Sequence, residues 1–159
     1  MVVLINIIIT HILLLGVLFS SSQNLVMGKS QAEVGIESII ENEKDVVINI
    51  YSVNKVPIAG VQFQITPNDL FVIDSIAGGI CSDLGFQLHS NEKGLLLAFS
   101  MQGKEIPKSK SDIPNENILF SVYGKKNKAF FNQVITLNTT LASRMGKKIN
   151  SKVIDYIYK

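Results

Sequence analysis

Hydrophobic and polar residues alternate with a period of two along much of this chain, most cleanly at Val61-Gln62-Phe63-Gln64-Ile65-Thr66. Successive side chains of a strand point to opposite faces, so Val61, Phe63 and Ile65 are expected to face a core and Gln62, Gln64 and Thr66 to face water. One wet face belongs to an antiparallel sheet, whereas the parallel sheet of an α/β enzyme is covered on both sides. The same reasoning, with turn residues as boundaries, predicts further strands over residues 32–40, 45–53, 70–75, 86–90, 95–100, 118–123, 134–141 and 153–158. Asn91-Glu92-Lys93-Gly94 reads as the turn of a hairpin, its Gly suited to a left-handed position. A single helical turn is expected around Ile80 to Leu84, and a polar loop runs from Gly103 to Pro114. About nine short strands separated by turn signals, with no sustained helical period, predict an all-β chain folded as a single antiparallel β-sandwich.

Before these strands lies a different pattern. The first 28 residues carry no charged side chain, and Val2 to Phe19 is almost wholly apolar before Ser20-Ser21-Ser22-Gln23-Asn24. An apolar run ending in small residues has the layout of a secretory signal peptide, cleaved near Ser22 to Asn24. The alternative is an uncleaved membrane anchor, because the run approaches the ~20 residues that span a bilayer. The expected organisation is therefore residues 1–23 as signal peptide or anchor, 24–31 as a short linker and 32–159 as one domain, exported to the cell surface or the extracellular medium. A domain of this length can bury an ordinary apolar core. It must do so without a disulfide, since Cys81 is the only cysteine.

Charge divides the chain in two. Residues 29–103 hold 4 basic and 9 acidic side chains, whereas residues 104–159 hold 11 basic and 4 acidic ones. The basic third could meet an anionic polymer or envelope, or it could be lysine-protected loops and edge strands. Lysine dominates over arginine and few aromatics interleave with it, which argues against nucleic acid as a partner.

Catalytic chemistry finds no support. Gly78-Gly79 lacks the flanking residues of a phosphate loop, and no paired-Cys or His-x-x-x-His spacing occurs. After the N-terminal segment His89 is the only histidine, without a nucleophile elbow to serve. Asp69, Asp74, Asp83 and Glu92 sit in turn contexts that account for them without a carboxylate pair. Cys81 reads as a small buried hydrophobe. The expectation is a non-enzymatic chain with no cofactor and no metal. Tyr51 and Tyr123 are candidate platforms for stacking a sugar ring, and Asn138-Thr139-Thr140 fits the N-glycosylation pattern at Asn138.

Two stretches carry a family resemblance. Ala59-Gly60-Val61-Gln62-Phe63 follows the apolar strand Val47-Ile48-Asn49-Ile50-Tyr51, and Leu97-Ala98-Phe99-Ser100 precedes Gly103 and Ile106-Pro107. In these motifs, and in the ending Ile135 to Ser143 with Gly146-Lys147-Lys148-Ile149, the chain resembles the cohesin domain over about Glu33 to Tyr158. The resemblance implies a jelly-roll-like sandwich of about nine strands, similar in fold to some carbohydrate-binding modules. It also implies a non-catalytic module that attaches to a protein partner, dockerin-like or another extracellular protein. Gln62, Gln64, Thr66, Gln87 and His89 are the expected members of the binding face, chosen from alternation alone. A polysaccharide-binding module and a structural surface component are the alternatives, and no membrane contact is expected once the signal segment is removed.

Overall fold

A computed structural model describes residues 29–159. The expected signal segment, residues 1–23, and most of the 24–31 linker lie outside the described residues. Among the described residues eleven strands form: β1 (Ala32–Glu41), β2 (Asp45–Asn54), β3 (Gly60–Thr66), β4 (Phe71–Ala77), β5 (Gln87–Ser90), β6 (Leu95–Phe99), β7 (Ile118–Lys126), β8 (Val134–Ala142), β9 (Lys148–Ile149), β10 (Ser151–Ile154) and β11 (Tyr156–Ile157). One short helix, α1 (Gly79–Asp83), and a 3-10 turn at Pro114–Glu116 complete the described residues. Neither is long and apolar enough to cross a membrane.

The strands make a two-sheet, jelly-roll-like sandwich. One sheet runs β10-β1-β2-β7-β4 and the other β11-β8-β3-β6-β5, with β9 added beside β8. Alternation in the sequence is matched by alternation in burial on β3, whereas register shifts interrupt it on β1, β2 and β4. On β3, Val61, Phe63 and Ile65 are buried while Gln62 and Thr66 are exposed. Ile48, Ile50, Phe120 and Val122 of the facing sheet are fully buried against them. The Phe63 and Phe120 rings meet across the interior with centroids 6.1 Å apart. Such tilted aromatic pairs add a modest attraction to the burial of their large apolar surfaces.

Two expectations about the sandwich need correction. The predicted last strand, residues 153–158, breaks at Asp155 and serves both sheets. Residues Ser151 to Ile154 pair with β1, and Tyr156-Ile157 pair with β8. The count therefore rises above nine, with two-residue strands at β9 and β11. Nor is the fold wholly antiparallel, because β1 and β10 pair in parallel, Ala32 opposite Ser151. A strand can join an existing edge in parallel when the chain arrives from the far sheet, since no tight hairpin constrains its direction.

One end of the sandwich is tied together by buried amides. Asn54 donates from Nδ2 to the carbonyls of Val56 at 2.8 Å and Pro107 at 2.9 Å, and its Oδ1 accepts from the Ser109 hydroxyl. Asn117 donates to the carbonyls of Ser111 and Ile113. The long β6–β7 connection, polar and proline-containing, is thus held against the end of β2 by satisfied buried groups, which are costly to break. At the opposite end Lys125 pairs with Asp45 and Lys128 with Asp69, and both carboxyls are held below the usual carboxylate range by those hydrogen bonds.

The interlock between the sheets predicts which phenylalanine matters. Phe120→Ala should cost about 3–5 kcal/mol of unfolding free energy, the usual loss for emptying a packed aromatic site. Phe131→Ala, at a side chain 65% exposed, should change it by less than about 0.5 kcal/mol. Urea unfolding of both variants checks the contrast.

Candidate functional site

The outer face of the β8-β3-β6-β5 sheet brings together most of the polar residues expected on a binding face. Register places Gln62 of β3 opposite Leu97 of β6, which in turn lies opposite His89 of β5. One step along, Gly60 lies opposite Phe99, and Phe99 opposite Gln87. On the other flank Gln62 faces Thr140 of β8 and Gln64 faces Asn138. Leu95, Leu97 and Phe99 therefore form a half-buried apolar row down the middle of the face. Polar residues of β5 lie on one side of this row and polar residues of β3 and β8 on the other. The His89 ring stacks on Phe99, with centroids 5.7 Å apart and planes 17° apart.

The apolar row was not among the residues expected from the sequence. Leu95-Leu96-Leu97-Ala98-Phe99 is apolar on both faces, so alternation gives no sign of which side is wet. Only the pairing with β3 decides it: Leu96 and Ala98 follow Phe63 and Val61 into the core.

Not all five expected face residues are free to meet a partner. Gln64 donates from Nε2 to the Lys93 carbonyl at 2.5 Å, bracing the β5–β6 turn. That turn has the predicted form, with Gly94 at φ 86° and Asn91 Oδ1 accepting from the backbone N–H groups of Lys93 and Leu95. A side chain at Gly94 would strain the backbone and press on Gln64. Thr66 stands at the end of β3, beyond the last residue paired with β6. Gln62, Gln87 and His89 remain exposed around the apolar row.

The sugar-stacking candidates fare differently. Tyr51 is 4% exposed, and its ring lies so close over Gly35 that a Cβ there would come within 2.9 Å of Cε1. A buried ring offers no open face to a pyranose, so the expected role for Tyr51 is withdrawn. Its hydroxyl donates to Glu33 at 3.3 Å, and burial is the main cause that pushes its pKa up to about 12. Tyr123 is exposed, but on the other sheet, between Val47 of β2 and Ser75 of β4. Asn138 is exposed at mid-strand on β8, so a glycan there would stand on the same face as Gln62 and Leu97.

Among the described residues no three His, Cys, Asp or Glu side chains converge on a possible metal position. Cys81 is fully buried on α1 within the core, as the sequence suggests.

No known family profile matches the chain, and no curated protein does. Solved structures are similar to it at the level of the chain trace. Two come from cohesin–dockerin complexes. One is a chain of the CaDoc0917–CaCohA2 complex, at 12% identity and a TM-score of 0.47, covering 80% of this chain and 99% of that one. The other is the third ScaB cohesin of R. flavefaciens in complex with a group 1 dockerin. It has 13% identity and a TM-score of 0.49, and covers 78% of this chain and 90% of that one.

Desolvation pushes the Cys81 thiol from its ordinary 9.0 up to about 12. At pH 8 the native chain should resist a thiol-reactive disulfide reagent, and the urea-unfolded chain should react at once. The sign for stability follows, because the unfolded thiol ionises at lower pH than the folded one. This contribution is fully present below about pH 9 and is lost as pH rises through about 12. Rapid labelling of the native protein would show Cys81 to be accessible.

Proposed function

We propose that the chain is an exported, non-catalytic protein-docking module, and that its partner binds the outer face of the β8-β3-β6-β5 sheet. One observation carries this reading: the half-buried row Leu95, Leu97 and Phe99 lies at the centre of that face and is rimmed by Gln62, Gln87, His89, Asn138 and Thr140. Protein interfaces concentrate their affinity in a desolvated apolar centre surrounded by a polar rim. A face of paired strands also presents that centre rigidly, which lowers the ordering cost of association. The motifs shared with cohesin domains imply a dockerin-like partner, and the N-terminal apolar segment favours an extracellular setting for the encounter. The carbohydrate alternative loses one of its two platforms with the burial of Tyr51.

A charge placed in the apolar centre tests the reading directly. Leu97→Asp should weaken binding of a dockerin-type partner at least tenfold, the effect of desolvating a charge at a central position. Tyr123→Ser, on the opposite sheet, should leave affinity within about twofold. Isothermal titration, with circular dichroism melts to confirm folding, reads both. Equal affinity in the two variants would place the partner elsewhere.

A further inference from the structure

Six of the eleven basic side chains in residues 104–159, joined by Lys55, gather at one end of the sandwich, while Lys125, Lys126 and Lys128 lie at the other. Lys55 follows β2, Lys104, Lys108 and Lys110 lie in the β6–β7 connection, Arg144 and Lys147 lie in the β8–β9 turn, and Lys148 begins β9. All seven side chains are exposed, and register places these segments at one end of the sandwich. Gly60, at the start of β3, pairs there with both Phe99 and Ala142, and the Ser109 N–H donates to the Asn54 carbonyl. The ion pairs among the described residues are Lys125–Asp45, Lys126–Glu41, Lys128–Asp69 and Lys152–Glu33, so none of the seven takes part in one. The carboxylates at this end are Glu33, which pairs with Lys152, together with Asp83, Glu105, Asp112 and Glu116, so the seven unpaired cations leave a positive excess.

Two further features mark this end. Met101 and Met145, 78% and 83% exposed, stand at the tips of neighbouring loops, and the Arg144 guanidinium lies beside Gly103. The chain also enters the domain here, where the N–H groups of Gln31 and Ala32 donate to the Asn150 carbonyl. Between the apolar segment Val2 to Phe19 and Lys29 lie nine residues, which span roughly 32 Å at most when fully extended. A ten-residue strand such as β1 is itself roughly 33 Å long. Only a fully stretched connection lying along the domain would bring the opposite end to a bilayer that holds the apolar segment.

We propose that, in the chain that retains its N-terminal segment, this loop end rests on an anionic bilayer, with Met101 and Met145 entering the headgroup region. Arg144, Lys147, Lys148 and Lys104 supply the electrostatic attraction. Lysines and arginines at a surface are drawn to anionic lipid, and exposed apolar tips add hydrophobic burial at the interface. The exposed amphipathic tips, the unpaired cations and the point of chain entry converge on one end. A soluble anionic glycan would meet the cations but leaves the methionines unexplained. This inference stands independently of the docking face, which lies on a different surface.

The chain contains no tryptophan, so Met145→Trp introduces a single reporter. The full chain carrying it is reconstituted into vesicles of phosphatidylcholine alone or with about one-third phosphatidylglycerol. With phosphatidylglycerol present, the indole emission should move to shorter wavelength and be quenched by brominated lipid. Both effects should be lost in about 1 M NaCl, where screening shortens to roughly 3 Å, and in the R144E/K147E/K148E variant. Met101→Trp should report the same from the neighbouring loop. Water-like emission at both positions in anionic vesicles would overturn the proposal. So would a shift that is equal in neutral vesicles, or an indole released by soluble polyuronate while phosphatidylglycerol is in excess, which would assign the end to a glycan.

Discussion

The register of β3 between β8 and β6 is the constraint on which the rest of this molecule depends. Side chains on a strand have a strict period of two, so a slip of one residue would exchange Phe63 and Val61 for Gln62 and Gly60 in the core. The slip is opposed from both sides. Phe63 meets Phe120 of the other sheet, and Gln64 clamps the turn that sets the β5–β6 hairpin. Once β3 is fixed, β6 has no choice of face, and Leu95, Leu97 and Phe99 turn outward because Leu96 and Ala98 are needed within. The apolar row of the candidate docking face is thus a by-product of core packing on its neighbour.

That dependence explains what could be read from the sequence and what could not. The positions of the strands were legible almost throughout, because each is bounded by its own turn residues and most carry their own alternation. The facing of β6 was not, since a run apolar on both sides carries no local record of its partner. Tyr51 fails for a related reason. Its parity places it away from the hydrophobic core, and nothing local shows that Gly35, sixteen positions earlier, leaves room for the ring to lie flat against the backbone. The division of the last strand between two sheets is likewise a non-local fact. Residues 153–158 look like one strand, and only the two unfilled edges of β1 and β8 divide the segment between two sheets.

The shared last strand has a mechanical consequence for the sites. By pairing with β1 and then with β8, the C-terminal segment closes the edge at which the two sheets would otherwise separate. The long edges of β1 and β8 are thereby partly covered, and the outer strands on this side are the short β10 and β11, a form of edge that recruits another chain less readily. This pairing leaves β4 and β5 as the outer strands on the opposite side, with α1 between them in sequence and Cys81 sealed beneath. A partner that spreads over the outer face would meet Gln87 and His89 at the β5 margin.

The loop end and the docking face stand in a fixed relation because the same strands define both. The strands of the β8-β3-β6-β5 sheet run from the basic loops to the opposite turns, so their outer face lies roughly perpendicular to the loop end. A domain seated by its loop end would present that face sideways, unobstructed by the surface beneath it, with Gln62, Leu97 and His89 at mid-height on the strands. The buried amides of Asn54 and Asn117 matter in this arrangement, since they hold the β6–β7 connection, which carries Lys104, Lys108 and Lys110, against the end of β2. Charge on a loosely held loop would give attraction without orientation. Charge on a loop pinned by satisfied buried hydrogen bonds gives both, which is the physical requirement for a module that must meet its partner from a surface.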